Sequence, residues 1–241
     1  MATIFEHDAT PTWSGFIYQG LVAVYLAVKQ ICELLSQPNN LDKKTIGLSY
    51  QLEIENCEDV AIVRINGNEK NYLSIHQVKN RKEKKISDYR KAVIQLMLEK
   101  GFLKKQNFGT PEAYLHTSSK IKENEYEIDK LLVDWKNTIL DYYNKVDLAL
   151  VTEYEEGNRK DFQQEIKENV LKEPIGLSRA KYKELLDDIK KYTEKNCKIE
   201  DIKKSLKLFK EYLDNVLEIK EIDEKVKLYK YDDGEKFSCE L

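Results

Sequence analysis

The spacing of apolar residues predicts one long helix close to the N-terminus. Either Thr12 or Ser14 can cap it, and apolar residues then recur at intervals of three and four as far as Ser36. These residues are Phe16, Ile17, Leu21, Val24, Tyr25, Val28, Ile31 and Leu35. The sequence Pro38-Asn39-Asn40 ends the helix, because proline cannot continue it. We expect residues 1–12, which precede the helix, to form an extended arm.

Three strands are predicted next, from residues that alternate between apolar and polar. They cover residues 46–55, 60–65 and 72–80. Asn66-Gly67-Asn68 joins the second strand to the third as a hairpin turn, because Asn-Gly tolerates positive φ. A period of two along the third strand predicts that four residues share one of its faces. They are Leu73, Ile75, Gln77 and Lys79.

A helix over residues 88–105 and a short buried strand over residues 113–117 complete the order α-β-β-β-α-β. The rest of the chain is almost entirely helical, with amphipathic helices over residues 125–143, 161–171, 178–192 and 199–219. The stretch 146–152 fits either a strand or a helix end. We therefore predict an α/β (α+β) core over residues 1–155, followed by a mostly helical region over residues 156–241.

The helical region ends on the pattern of an incomplete hairpin. Residues 225–231 alternate imperfectly, Asp232-Asp233-Gly234 predicts a turn, and a return strand would begin at Phe237. We expect this hairpin to be truncated, so that residues 156–241 serve as a partner contact or as a link to a missing C-terminal part.

Composition narrows the classes of function. The 241 residues are 41% hydrophobic, which suffices for a packed core, and their formal net charge of −3 excludes a uniformly basic nucleic-acid-binding protein. Any contact with DNA therefore needs a local basic patch, a partner or an oligomer. The four cysteines are scattered, which argues against zinc and against a disulfide framework and fits a cytoplasmic protein. We find no signal peptide and no stretch approaching the roughly 20 apolar residues of a membrane span, so no membrane contact is expected.

Candidate chemistry lies where the predicted strands meet. Asp59 comes at the passage from the first strand to the second and is the best candidate ligand for a divalent cation, Mg²⁺ or Mn²⁺. Gln77 on the third strand offers an amide oxygen as a further ligand. Lys79 shares its face about 6–7 Å further along, where an ammonium group can orient a water molecule or a phosphate. Glu53 and Glu55 share one face of the first strand, and either could add an oxygen ligand.

Ordinary structural roles remain open for each of these residues. Acidic residues in a turn are usually solvated, and a lone Gln-x-Lys on a strand is common. Gln77 and Lys79, however, continue an apolar face, and polar groups in that position need partners or form a site.

A lysine-rich segment begins directly after Lys79. Residues 81–105 carry nine basic and three acidic residues, a balance of +6, and the first four basic residues are Arg81, Lys82, Lys84 and Lys85. We expect these four to contact DNA phosphates, although a solvated lysine-rich face is the alternative. His76 should point away from Gln77, and a role for His116 in lining the site stays open. The chain has no Ser-His-Asp order, no glycine-rich phosphate loop and no HExxH motif.

The element order, with Asp59 followed by Gln77 and Lys79, resembles the PD-(D/E)xK, restriction-endonuclease-like superfamily. Gln77 stands where the usual residue is Asp or Glu, and this departure leaves the number of metal ions open. Three stretches are similar to the N-terminal endonuclease domain of bacterial anti-phage effectors, such as nuclease subunits of Lamassu and ABC-three-component systems. They are Trp13-Ser14-Gly15-Phe16-Ile17-Tyr18-Gln19-Gly20, Glu58-Asp59 and Ile75-His76-Gln77-Val78-Lys79.

This resemblance covers about residues 12–120 and implies a Mg²⁺-dependent endonuclease of double-stranded DNA that a partner or signal activates. In Lamassu-like systems the partner is an SMC-like ATPase with a small accessory subunit, and homo-oligomerisation on activation is possible. Gln19 on the first helix could bind a site carboxylate or a phosphate. The alternative function is a non-catalytic scaffold or interaction subunit of a defence complex, and an RNA substrate is a third option.

Overall fold

A computed structural model describes residues 13–37, 42–152, 158–172, 174 and 180–231, which form seven α-helices and one five-stranded sheet. The helices are α1 (Trp13–Leu35), α2 (Lys43–Ser49), α3 (Arg90–Lys105), α4 (Glu125–Val151), α5 (Arg159–Asn169), α6 (Ala180–Glu194) and α7 (Ile199–Asn215). The strands are β1 (Tyr50–Ile54), β2 (Val60–Asn66), β3 (Glu69–Lys79), β4 (Glu112–Thr117) and β5 (Val226–Leu228). The predicted mixed α/β class is therefore confirmed.

The sheet has the order β1-β2-β3-β4-β5 and mixes two kinds of strand pairing. β1, β2 and β3 are antiparallel neighbours, whereas β4 lies parallel to β3 and β5 lies parallel to β4. The predicted hairpin turn is confirmed, with Gly67 at a φ of 61° between β2 and β3. Because parallel neighbours need a crossover, α3 connects β3 to β4.

Apolar side chains cover both faces of the sheet. On one face, Ala61 and Ile75 belong to a large core that includes α3 and continues through α4, α6 and α7. On the other face, Val60, Ile62 and Val78 pack with the inner side of α1 in a smaller cluster. Strand residues therefore alternate between an α3 face and an α1 face, and this alternation decides where each polar side chain points.

Two element boundaries differ from the sequence prediction. The first predicted strand begins four residues late, at Tyr50, because residues Lys43–Ser49 form helix α2. The Asp42 side chain caps α2 by accepting a hydrogen bond of 2.9 Å from the Thr45 backbone N–H. Residues 146–151, for which a strand stayed open, continue α4 as helix.

A bulge in β3 changes which of its residues share a face. Ile62 lies opposite Ser74, but the next residue, Val63, lies opposite Tyr72, so Leu73 is an extra residue in the ladder. Leu73 consequently packs on the α1 face, whereas Ile75 lies in the core on the α3 face. The prediction that Leu73 shares a face with Ile75 and Gln77 is therefore wrong.

The larger core extends across the predicted boundary at residue 155. It contains Trp135 and Ile139 of α4 together with Phe209 and Leu213 of α7, and Val226 of β5 lies opposite Ala113 of β4. Within the described residues, the C-terminal helices and the N-terminal α/β part therefore share one hydrophobic core. The predicted arm at residues 1–12 and the predicted turn and return strand after residue 231 lie outside the described residues.

The segment Ser14–Leu35 is long and apolar enough to span a membrane, by length and composition alone. This corrects the expectation that no stretch approaches such a length. A core helix of a soluble protein and a signal sequence near the N-terminus meet the same criterion of length and composition.

Candidate functional site

Asp59 and Lys79 meet where the start of β2 lies beside the end of β3. Val60 lies opposite His76 in the ladder, so Asp59, one residue before β2, comes next to the end of β3. The Lys79 Nζ atom is 3.5 Å from Asp59 Oδ2, and the Val78 backbone N–H donates a hydrogen bond of 2.6 Å to the same oxygen. Asp59 is buried, whereas the Lys79 side chain is 22% exposed and borders solvent.

Gln77 binds a carboxylate that the sequence analysis did not select. Its Nε2 atom donates to Oε2 of Glu58, and each of the two residues is only 1% exposed. Gln77 Oε1 and Glu58 Oε1 have no hydrogen-bond partner among the described residues. A buried acceptor without a donor is costly, so this contacting pair retains two oxygens able to accept a proton donor or a cation.

Negative charge accumulates around Glu58. Burial, followed by the charges of Glu99 and Asp59, raises the pKa of Glu58 well above its ordinary value of 4.5. Glu99 comes from α3, is 3% exposed, and accepts a hydrogen bond of 3.2 Å from the Cys57 thiol. Burial and the Glu99 carboxylate in turn raise the pKa of Cys57. The site therefore includes one more carboxylate from the turn and one from a distant helix.

The sequence contained a signal for only one of these two additional carboxylates. Glu58 precedes Asp59 in one of the stretches that carry the family resemblance, so it could have been selected as a site residue from the sequence. Glu99 precedes Lys100 in the sequence, and a charged pair in a helix is expected to face solvent, so its burial at the site followed only from the packing of α3.

Three donors hold the Glu53 carboxylate in place. It accepts hydrogen bonds from Lys70 Nζ at 2.5 Å, Asn56 Nδ2 at 2.6 Å and the Tyr72 hydroxyl at 2.9 Å. Burial alone would raise the pKa of Glu53, but these hydrogen bonds together lower it. Because these donors take three of its about four lone-pair sites, a role for Glu53 as an additional metal ligand gains no support from its contacts.

Gln19 and Glu55 close the α1 side of the site. Gln19 Nε2 donates to Glu55 Oε1 at 2.6 Å and to the Asp59 backbone carbonyl at 2.8 Å. The expected contact between Gln19 and a carboxylate is therefore present. Glu55 lies beyond the end of β1 at a φ of 55° and contacts α1, whereas Glu53 contacts Tyr72 of the α3-face core. The prediction that Glu53 and Glu55 share a face is wrong, because the chain leaves the strand conformation between them.

Arg81, Lys82, Lys84 and Lys85 are exposed directly after Lys79. Their backbone is anchored, because Ser118 and Ser119 hydroxyls donate to the Arg81 carbonyl at 3.1 and 2.9 Å. This segment, residues 81–85, forms an exposed basic loop at the edge of the site.

Three other basic residues of the predicted patch have internal contacts instead. Arg90 donates to the Pro174 carbonyl, buried Lys100 lies 3.3 Å from Asp223, and Lys105 binds Glu218. These contacts make Arg90, Lys100 and Lys105 less available to phosphates than the basic loop.

The two histidines lie together on the α1 face. His76 Nδ1 is 2.9 Å from His116 Nε2, His76 Nε2 is 2.8 Å from Ser74 Oγ, and His116 Nδ1 is 2.9 Å from the Tyr231 hydroxyl. Burial lowers the pKa of His76 to about 3, and burial with the neighbouring His76 lowers that of His116 to about 2. His76 points away from Gln77 as predicted. His116 is within hydrogen-bond distance of His76 and of the Tyr231 hydroxyl. His76 lines a separate cleft of about 1,820 Å³ and not the Asp59 site.

In the part of the chain that the structure describes, no group of three or more His, Cys, Asp or Glu side chains is arranged to hold a metal ion. Comparison with protein-family models, with curated proteins and with solved structures gave no match to this chain. The function therefore has to be argued from the geometry of the site itself.

Proposed function

We propose that this chain is a Mg²⁺- or Mn²⁺-dependent endonuclease of double-stranded DNA, with a restriction-endonuclease-like core and Asp59, Gln77 and Lys79 at its centre. The observation that carries the proposal is the contact between Asp59, just before β2, and Lys79, at the end of β3, whose charged atoms are 3.5 Å apart, with Gln77 two residues before Lys79. A carboxylate, an amide oxygen and an ammonium group in one place are the parts that metal-assisted phosphodiester hydrolysis requires.

The donor set fits a hard divalent cation. Gln77 Oε1 and Glu58 Oε1 are buried oxygens without hydrogen-bond partners among the described residues. Asp59, which follows Glu58 directly in the sequence, adds a second carboxylate. Mg²⁺ commonly takes only one or two protein carboxylates and completes its shell with water and substrate phosphate, so two carboxylates and one amide oxygen suffice. When bound, the cation would polarise the scissile phosphate and lower the pKa of an attacking water.

Lys79 and the basic loop, residues 81–85, supply the positive charge that a phosphate backbone needs. The Lys79 ammonium group borders solvent beside Asp59, where it can orient the attacking water and neutralise charge on the phosphate. The exposed side chains that follow can track the neighbouring phosphates. This placement supports DNA as the substrate despite the acidic overall charge.

The burial of Glu58 and Gln77 supports control by a partner. With each residue 1% exposed, the scissile phosphate reaches their oxygens only after the turn at residues 55–59 moves. We propose that the protein is an effector of bacterial anti-phage defence and that a partner complex, an SMC-like ATPase with a small accessory subunit, triggers this movement.

Two measurements test the proposal together. Mn²⁺ binding, followed by electron paramagnetic resonance, should weaken at least about tenfold in Asp59→Asn and stay within about threefold in Lys79→Ala. Plasmid cleavage by the complex with its activating partner should fall at least about a hundredfold in both variants. Lys207→Ala, at an exposed lysine of α7, is the matched control and should cut like the parent.

The salt dependence of DNA binding tests the basic loop. Replacing Lys82 and Lys85 by Ala should reduce the slope of log affinity against log salt by about two, because each lysine releases about one counterion. An unchanged slope would remove the basic loop from the DNA-binding surface.

The burial of the site equally favours a second function, a non-catalytic scaffold subunit. In that case Glu58 and Gln77 are a structural pair that never meets substrate. A parent protein that binds neither Mg²⁺ nor Mn²⁺, and whose activated complex leaves linear and supercoiled DNA uncut, would establish the scaffold and refute the nuclease.

A further inference from the structure

The outward face of α1 carries a continuous row of exposed apolar side chains. Five large residues on this helix are between 37% and 55% exposed, and one more is 63% exposed. They are Phe16, Ile17, Val24, Val28, Ile31 and Leu35. The opposite side of α1 is already buried against the sheet through residues such as Val22 and Leu26. The helix is therefore apolar both towards the sheet and on its outward face, which is typical of helices that are covered on more than one side.

No charge interrupts this row. The charged residues of α1 are Lys29 and Glu33, and both line the cleft beside β5 rather than the outward face. The Lys29 ammonium group lies 5.6 Å from the centre of the Tyr229 ring. An outward face without Lys, Arg, Asp or Glu is unusual for a surface helix and marks a surface for association.

The spacing of the row matches a helix–helix seam. Ile17, Leu21, Val24, Val28, Ile31 and Leu35 follow one another at intervals of four, three, four, three and four. This is the heptad repeat that allows side chains of one helix to insert between those of another, over about 27 Å of helix. We name these six residues the α1 seam. The seam is self-complementary, because a second copy presents the same uncharged residues at the same spacing.

The exposed apolar area on the outward face of α1 is comparable in order of magnitude with the area that a stable dimer buries on each partner. The apolar side chains on the outward face of α1 present roughly 500 Å², the range of the largest patch on a typical monomer. A standard interface takes about 800 Å² from each partner. Leu48 of α2, 72% exposed, and Ile54 of β1, 51% exposed, lie on elements that contact α1 and enlarge the apolar surface towards that size.

We propose that a second copy of this chain packs on the α1 seam, forming a two-fold symmetric dimer through paired α1 helices. The inference uses only exposure, spacing and charge, and it does not depend on the proposed nuclease activity. A lipid surface is the other class of partner for an apolar helix face. Helices that lie on membranes, however, carry several Lys and Arg on their polar side, and α1 contains only Lys29.

Sedimentation velocity on the full chain tests the dimer. The parent, with a monomer mass of 28.3 kDa, should sediment as a dimer at about 100 µM and dissociate on dilution. The double variant Val24→Glu/Val28→Glu should sediment as a monomer, with the dimer dissociation constant raised at least about a hundredfold. The matched control is Leu148→Glu/Val151→Glu on α4, where the parent residues are 59% and 69% exposed, and it should remain a dimer.

Each other outcome overturns the proposal. A parent that is monomeric at about 100 µM excludes the dimer. If that monomer floats with phosphatidylcholine–phosphatidylglycerol vesicles, lipid covers the α1 seam. If it dimerises only after residues 1–12 are removed, the chain's own N-terminal residues cover the α1 seam. Persistence of the dimer in the folded Val24→Glu/Val28→Glu variant places the interface elsewhere. Should that variant lose its helical circular dichroism, Val24→Thr/Val28→Thr, which keeps side-chain shape, is measured instead against the same expectation.

Discussion

The paired histidines make the stability of this fold sensitive to mild acid. His76 is 1% exposed and His116 is fully buried, and they are faced by Ser74, Tyr114 and the Tyr231 hydroxyl. Their pKa values of about 3 and about 2 lie far below the ordinary value of 6.5. The unfolded chain therefore binds two protons below pH 6.5 that the folded chain does not. Stability is present above that pH and is lost as the pH falls.

The size of this loss follows from linkage. One proton taken up by the unfolded state alone costs up to about 1.4 kcal/mol per pH unit, so each histidine removes about 2 kcal/mol between pH 7 and pH 5. The pair removes about 4 kcal/mol, a large part of the stability of an ordinary domain. Glu58 acts in the opposite direction, because its raised pKa makes the folded state bind a proton as the pH falls. That single proton cannot offset two, so the histidines decide the sign.

Urea unfolding at pH 5, 6 and 7 measures these terms separately. In a Glu58→Gln background, the free energy of unfolding should fall by about 4 kcal/mol from pH 7 to pH 5. Adding His116→Gln, whose amide can still reach His76, should reduce that fall to about 2 kcal/mol. Equal pH dependence with and without His116, or histidine ring signals that titrate near pH 6.5 in the folded protein, would refute the reasoning.

Three further predictions concern the site and its surroundings. Gly101→Ala should lower the free energy of unfolding by about 1–3 kcal/mol, although alanine has the better helix propensity. The reason is that the added Cβ would lie 2.2 Å from the Glu221 carbonyl oxygen. Urea unfolding measures this loss of stability. Glu58→Gln should stabilise the protein at pH 8, with a gain that vanishes towards pH 4.5; a variant that is less stable at pH 8 contradicts a raised pKa for Glu58. Gln19→Ala should cost about 1–3 kcal/mol, because it removes two hydrogen bonds, one to the Glu55 carboxylate and one to the Asp59 carbonyl. Faster amide exchange at residues 55–60, with the rest of β2 unchanged, would show the local loosening.

Short-range patterns predicted the parts of the site that neighbouring strands position. The Asn-Gly turn fixed the β2–β3 hairpin, and the hairpin register then places Asp59 beside the end of β3, where Lys79 lies. Alternation alone also placed His76 on the face opposite Gln77. These outcomes required only the turn chemistry and the period of two, both of which are local properties of the sequence.

The parts that the sequence did not predict depend on contacts between distant residues or on a single local hydrogen bond. The bulge at Leu73 changes the face on which every earlier residue of β3 lies. A leucine at position 73 does not by itself predict a bulge. The Asp42 cap overrides the alternation that predicted a strand from residue 46. Glu99 enters the site because α3 packs on the sheet, and β5 joins β4 after more than a hundred intervening residues. Such long-range contacts have no signature in one sequence.

Helix α1 connects the candidate site to the proposed interface. Its inner side carries Gln19, which holds both Glu55 and the Asp59 carbonyl, and its outer side carries the α1 seam. A rigid helix that is packed on two sides cannot rotate without disturbing both, so any partner bound to the seam also constrains the turn at residues 55–59. The same turn buries Glu58 and limits access to Gln77. Under the proposed function, association through α1 would therefore act on the same turn whose movement gives a substrate access to Glu58 and Gln77.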